Sequence, residues 1–242
     1  MLNQNTEISF YHFRKFWENS DRTPIIHVGA HIGEEAPTYF ELNMFPVYWI
    51  EANSEVIGEL TNNVYKYPLN EVIHAALWSK SGENLKLYLA EDIHSSSLLQ
   101  PSKILSVSLK AKTRNEQIVV SSTTDELNLR FYNEGLLVLD VQGAESQVLL
   151  GSKRTLIDTK WIYCEVSNAE MYKGSQNWTE LTNNLRSLGF NLVDWQYDEW
   201  EDWGNALYRK GPRKISDPFR RMLRRRLHAK TAKSIKSLKE AW

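Results

Sequence analysis

Ile25-Ile26-His27-Val28-Gly29-Ala30-His31-Ile32-Gly33 opens as a β-branched apolar run and breaks into a loop carrying two glycines. Val and Ile fit a pleated surface, so residues 25–28 read as a strand buried on both faces. Gly29 and Gly33 permit a tight turn and leave no Cβ between the backbone and a ligand. A helix starting just after the loop would offer its free N–H groups to an anionic group. Further on, Val47-Tyr48-Trp49-Ile50-Glu51 is a second apolar strand ending in a carboxylate. Glu51 follows Gly29 by 22 positions, close to the ~20 at which an acidic residue reaches a ribose hydroxyl in nucleotide-binding βαβ units. On these two segments alone, a strand and turn without a ligand remains an open alternative. A G-x-x-x-G spacing also occurs in membrane helices, but Glu34, Glu35 and Pro37 follow at once and exclude a span here.

The 242 residues suit one domain of generous size with a sizeable core. Hydrophobic content of 42% and charged content of 24% are those of an ordinary soluble globular chain. The first seven residues lack the basic start and apolar run of a signal peptide, and no run approaches the ~20 apolar residues of a membrane helix. Cys164 is the only cysteine, which rules out an intramolecular disulfide and disfavours a cysteine-based zinc site. These features set the expectation of a cytoplasmic protein. The net charge of −1 hides an asymmetry: from Arg209 onward there are 13 basic and 2 acidic residues, against 16 and 28 before it. An acidic body carries a basic tail.

Strand and helix signals alternate along the chain. Aromatic and apolar residues between 8 and 17 have the spacing of a helix laid over the sheet edge. A first crossover helix is predicted over 34–43, with Pro37 tolerated in its first turn, and a second from Asn53 or Ser54 to about Tyr65. Residues 71–78 read as the third strand. Between 85 and 120 the pattern changes to two half-exposed strands around the polar loop His94-Ser95-Ser96-Ser97, an antiparallel insertion. Leu136-Leu137-Val138-Leu139-Asp140 is a fourth buried strand and 160–166 a fifth, with Glu165 near its end. A helix from Trp178 stops at Gly189, and 190–195 with 206–209 form a closing antiparallel pair. The whole implies a mostly parallel α/β sheet.

Glu51, Asp140 and Glu165 each end a buried strand. Ligands in open α/β sheets bind outside the carboxyl ends of the strands, so all three carboxylates are expected to face one crevice. Taken singly, each is as well explained as a capping or salt-bridged residue.

The series Val28-Gly29-Ala30-His31-Ile32-Gly33, Trp49-Ile50-Glu51-Ala52, Leu139-Asp140-Val141-Gln142-Gly143-Ala144-Glu145, Glu165-Val166-Ser167 and Gly189-Phe190 closely resembles the FkbM family of S-adenosylmethionine-dependent methyltransferases, from about Pro24 to Lys210. The resemblance implies a Rossmann-like class I methyltransferase fold with a mostly parallel seven-stranded sheet, an antiparallel last strand and helices on both faces. It implies S-adenosyl-L-methionine as cofactor and O-methylation, often of sugars in glycan assembly. Carried over residue by residue, Gly29, Ala30, His31 and Gly33 match the loop around the methionine part of the cofactor. Glu51 matches the ribose-binding acid, and Ala76 and Leu77 lie where such folds hold the adenine.

A hydroxyl acceptor needs a proton acceptor or a metal ion that lowers its pKa. Asp140 is the first choice for the catalytic base and Glu165 the second, either as base or with Asp140 as ligands of a divalent ion such as Mg²⁺. Glu145, a helical turn from Asp140, suits a helix N-terminal charge. His94 and Ser96 are candidates for the acceptor side, with a solvated loop as the equal alternative. Trp200 and Trp203, in a run of interleaved aromatic and acidic residues, either stack on a sugar ring or pack a hairpin on the body. The domain is thus expected to span 1–210, with an N-terminal helix within 1–23, followed by a basic amphipathic tail over 211–242. The tail suits an anionic inner-membrane surface or a protein partner better than nucleic acid, or it is simply a solvated extension. A polyketide, lipid or RNA acceptor, or a non-catalytic scaffold, stays open beside the saccharide reading.

Overall fold

The computed structural model describes residues 10, 13–17, 22–103, 112–129, 131, 135–198 and 202–211. The basic tail beyond 211, Trp200 and most of the N-terminal segment lie outside them.

Among the described residues, ten strands form two sheets. The main sheet holds β1 (Ile25–Val28), β2 (Val47–Glu51), β3 (Asn70–His74), β7 (Gly135–Leu139), β8 (Thr159–Ser167), β9 (Phe190–Asp198) and β10 (Trp203–Lys210). Its order is β3-β2-β1-β7-β8-β10-β9. The first five run parallel, and β10 is inserted antiparallel between β8 and β9. The expected seven strands with an antiparallel last strand are all present.

Strand periodicity explains the two-faced core. Ile25 pairs with Val47 and Leu136, and all three face one buried cluster. Ile26 pairs with Tyr48 and Leu137, and these face the other. The continuous apolar runs are therefore apolar because both sides are covered. The first face is covered by α1 (Ala36–Glu41) through Tyr39 and by α2 (Ile57–Val64) through Leu60 and Val64. The second is covered by α3 (Glu145–Leu150), α4 (Thr155–Asp158) and α5 (Trp178–Ser187). The start of α5 is fixed by a capping box: Asn177 Oδ1 accepts from the Glu180 N–H, and Glu180 Oε2 accepts from the Asn177 N–H, both at 3.0 Å. Helices on both faces match the expected class I methyltransferase architecture.

Several boundaries differ from expectation. The described part of the N-terminal segment holds one 3-10 turn, Arg14–Phe16, rather than a helix. It lies over the sheet face, not its edge, because Phe10 stacks on Tyr163 with ring centroids 4.3 Å apart and Trp17 meets Trp161. Aromatic burial, not helix propensity, decides its shape. The first two helices are shorter than predicted, and Asn53 does not cap α2; its Oδ1 accepts from the Glu55 N–H in the preceding turn. The predicted third strand is two, broken at Ala75, whose N–H bonds the Glu51 carbonyl. Its second part, β4 (Ala76–Leu77), leaves the main sheet and pairs with β6 (Thr113–Ser122), which pairs antiparallel with β5 (Asn84–Ala90). The predicted antiparallel insertion is this second sheet, of order β4-β6-β5.

Candidate active site

The sheet register ranks the site residues. Val28 pairs with Ile50 and with Leu139, and Leu139 pairs with Cys164. Gly29, Glu51, Asp140 and Glu165 therefore stand one step beyond a shared rung, along the carboxyl ends of β1, β2, β7 and β8. One edge of the sheet carries all three carboxylates.

The loop after β1 is held by backbone bonds, Gly29 N–H and Ala30 N–H both donating to the Ile50 carbonyl. Both glycines have positive φ, +80° and +76°. Their missing side chains serve a purpose other than the expected approach to a ligand. A Cβ at Gly29 would meet the Asp140 carbonyl oxygen at 1.7 Å, and one at Gly33 would meet Val64 Cγ1 at 2.6 Å. The loop is pressed onto β7 and α2, and the glycines make that contact possible. The expected helix N-terminus is also poor in donors, since the Ala36 N–H bonds the Gly33 carbonyl and Pro37 has none.

Glu51 organises the same loop. Its Oε2 accepts the His31 N–H at 2.9 Å and its Oε1 accepts the Asn53 N–H at 2.7 Å. Burial pushes its pKa up, against those two bonds and the His31 charge. Each oxygen keeps a lone pair for a further donor, so the carboxylate fits the ribose of an adenosyl cofactor. Ala76 and Leu77 are each 3% exposed in β4, and Leu77 packs in the core. Neither side chain presents surface to the crevice, so an adenine contact from them falls to backbone atoms.

Asp140 and Glu165 are joined by a residue to which the sequence reading assigned no role. Gln142 Nε2 donates to Asp140 Oδ1 at 2.8 Å and to Glu165 Oε2 at 2.7 Å. Its Oε1 accepts from Tyr172 Oη at 2.8 Å, and its own φ is +52°. Burial, with the neighbouring Asp140 and Glu145 charges, drives the Glu165 pKa well up. Asp140 is raised by burial too, but Gln142 and Glu165 hydrogen bonds oppose the rise. Asp140 is also the more solvent-exposed of the two. The site thus favours the neutral form more strongly at Glu165 than at Asp140. An amide bridging both carboxylates occupies the place a cation would take, which argues against the Asp140–Glu165 metal reading.

Behind this pair, Glu145 is 7% exposed and accepts the Gly143 N–H at 3.1 Å. Burial raises its pKa to about 7. A cavity of about 30 Å³ lies beside Glu145, Glu165, Tyr172 and Ser175, large enough for a water molecule.

His27, read as a strand histidine, is buried, bonded to Tyr39 Oη at 3.1 Å and held neutral with a pKa lowered to about 3 by burial. His31, by contrast, projects beside His94, the ring centroids being 4.1 Å apart. Residues 93–97 run from this point to Gln142 and Tyr172: the Ser95 carbonyl lies 3.0 Å from Tyr172 Oη, sharing its one proton with Gln142 Oε1, and Ser97 Oγ donates to the Gln142 carbonyl. They form a strap across the crevice. Ser96 is partly absorbed by the strap itself, its Oγ accepting the Ala90 N–H. Trp203 starts β10 opposite Ser167, two residues past Glu165, and so reaches the same edge. Tyr172 left no signal in the sequence; Gln142 did, by its place in the Asp-Val-Gln-Gly block.

A doubly wound sheet with an acid at the end of β2, a glycine loop after β1 and a reversed last strand defines a class I methyltransferase. The chain belongs to the FkbM methyltransferase domain family, whose model matches residues 27–192, and its methyl donor is S-adenosylmethionine. Among curated proteins it is similar to the 2-O-methyltransferase NoeI of Sinorhizobium fredii (strain NBRC 101917 / NGR234), 54% identical over 39 residues. That match spans 16% of this chain and 16% of the relative. Among solved structures it is similar to a SAM-dependent methyltransferase from Aquifex aeolicus, with 10% identity, 82% and 87% of the two chains covered and a TM-score of 0.46. It is also similar to magnesium protoporphyrin IX methyltransferase from Synechocystis PCC 6803 with bound SAH, with 7% identity, 83% and 81% covered and a TM-score of 0.47. Among the described residues no helix is long and apolar enough to cross a membrane.

Proposed function

We propose that this enzyme methylates a hydroxyl of a saccharide or glycoconjugate, with Asp140 as the base. The observation that carries the reading is the bridged pair: Asp140 and Glu165 at the carboxyl edge of the sheet, both held by the Gln142 amide at 2.8 and 2.7 Å. When bound, S-adenosylmethionine supplies a methyl group on a positively charged sulfur. Glu51 holds the ribose hydroxyls, and the loop after β1 fixes the depth at which the donor sits. Asp140 accepts the proton of the acceptor hydroxyl as its oxygen attacks in line. Its raised pKa makes Asp140 a stronger base than an ordinary carboxylate, which suits that task. The raised pKa of Glu165 keeps a second negative charge away from Asp140. Positioning of the two reactants supplies much of the remaining rate. Support for a hydroxyl acceptor comes from the name of the NoeI relative, a 2-O-methyltransferase, and support for a saccharide from Trp203 at the crevice edge, where an aromatic face suits a sugar ring.

The test is mass-spectrometric detection of a methyl group passed from isotope-labelled S-adenosylmethionine to a panel of oligosaccharides, polyketides and lipids. Methylated oligosaccharide, with turnover in Asp140→Asn reduced by roughly 10²-fold or more, is the expected result. Transfer only to a polyketide or lipid overturns the acceptor class. Full activity in Asp140→Asn overturns the base.

A further inference from the structure

His31, Glu34 and His94 converge from two separate parts of the chain, and the methyl-transfer reading uses none of their side chains. Glu34 Oε1 lies 3.0 Å from His31 Nδ1 and 3.8 Å from His94 Nδ1. The three potential donor atoms all lie within 4.8 Å of one another. A tetrahedral zinc site with ligand bonds of ~2.0–2.1 Å places its donor atoms about 3.3 Å apart. Shifts well under the length of one bond would bring these three to that spacing.

Hydrogen bonding accounts for only part of the arrangement. The His31–Glu34 contact is a good hydrogen bond, but 3.8 Å is too long for a second one from His94. Two imidazoles nevertheless sit with centroids 4.1 Å apart around one carboxylate oxygen. The far nitrogen of His31, Nε2, is buried and has no hydrogen-bond partner among the described residues. Nothing there fixes the tautomer, so the ring proton can sit on Nε2 and leave the Nδ1 lone pair for a cation.

The scaffold holds the ligands before any ion arrives. The His31 backbone, at φ +45°, is tied by its N–H to Glu51. The His94 N–H donates to Asp92 Oδ1 at 3.2 Å, which caps the short turn Ile93–Ser95. Ser97 pins the other end of the strap to Tyr88 and Gln142. The side chains of Glu34 and His94 are 43% and 62% exposed, leaving an open side for a water or another ligand.

We propose that His31, Glu34 and His94 form a binding site for a divalent transition-metal ion, zinc by ligand type, which ties the strap of residues 93–97 to the loop after β1. Two imidazole nitrogens and one carboxylate suit zinc and its neighbours, whereas Mg²⁺ prefers oxygen alone. The site is distinct from the Asp140–Glu165 pair, where the Gln142 amide already stands.

The full chain, prepared without an affinity tag of histidines and stripped of metal, is titrated with Zn²⁺ by calorimetry and with Co²⁺ by visible absorption. One Zn²⁺ per chain is expected, with Co²⁺ giving the absorption of a four-coordinate nitrogen and oxygen site. Excess Mg²⁺ does not compete. His94→Ala and Glu34→Gln each weaken binding by at least about tenfold. Both side chains are partly exposed, and an unchanged thermal transition without metal certifies that each variant is folded. Absence of saturable binding in the native protein overturns the site, as does native affinity in either folded variant.

Discussion

A carbon atom added at Gly29 would stand 1.7 Å from the carbonyl oxygen of Asp140. The loop proposed to hold the donor is thus built directly on the backbone of the residue assigned as base. Gly29→Ala has no flexible neighbour to displace, and its φ of +80° adds strain. We expect a loss of stability of at least about 3 kcal/mol, read from the midpoint of urea unfolding. Gly33→Ala meets only the ends of Val64 and Leu60 side chains, so its loss should be smaller. Equal losses would contradict this account.

Glu51→Gln keeps the shape of the side chain and removes its charge. Calorimetric titration with S-adenosylhomocysteine should show affinity weakened by roughly tenfold to a hundredfold, the worth of about 1.5–3 kcal/mol for a hydrogen bond to a charged group. The thermal transition without ligand should move little, since the amide oxygen still accepts one of the two N–H groups that Glu51 now holds. Unchanged affinity would remove the ribose assignment.

Gln142→Leu removes the amide that donates to both Asp140 and Glu165. Those bonds favour the ionised form of Asp140, so their loss raises its pKa. The acidic limb of the kcat/KM profile should move to higher pH, and kcat should fall by about 10–100-fold. KM for S-adenosylmethionine should change little, because Gln142 acts through the two carboxylates. A profile that keeps its acidic limb would show that the amide only fills space.

Glu145 gives the fold a pH dependence whose sign is fixed. Burial raises its pKa from 4.5 to about 7 in the folded chain. Its folded form favours the neutral acid, so the associated stability is complete below pH 4.5 and is lost as pH rises through about 7. Glu145→Gln mimics the neutral acid and keeps an oxygen for the Gly143 N–H. At pH 8 the variant should melt higher than the native protein, by an equivalent of roughly 1–3 kcal/mol, and at pH 5 the two should nearly coincide. His27 acts in the opposite sense: its pKa, lowered to about 3, withdraws stability as pH falls below 6.5.

The strands that carry the site were legible because burial on both faces leaves a simple trace. Runs such as 25–28 and 136–139 are apolar throughout, and each stops at a loop or a carboxylate. Topology then brings Glu51, Asp140 and Glu165 to one edge, as expected. What lay beyond the sequence were relationships between loops. The glycine spacing announced a tight turn but not that β7 would be its neighbour. Gln142 reaches Glu165 across 23 residues only because its backbone takes φ +52°. The strap over 93–97 looked like a polar loop, since its hydrogen bonds go to Gln142 and Tyr172 and no local pattern records them. Ala76 and Leu77 are placed by homology, and the sequence does not show that both side chains are buried, Leu77 in the main core.

The two-residue strand β4 has an evolutionary consequence. It hands the chain from the main sheet to a small independent one, and β6 brings it back at Ser122. Strands β5 and β6 pair with each other and with β4, outside the main sheet, while Gly29, Glu51 and Asp140 are fixed by the parallel strands. The β5–β6 hairpin can therefore vary in length while the parallel strands that carry Gly29, Glu51 and Asp140 keep their geometry. One scaffold can diversify its customers without rebuilding its supply.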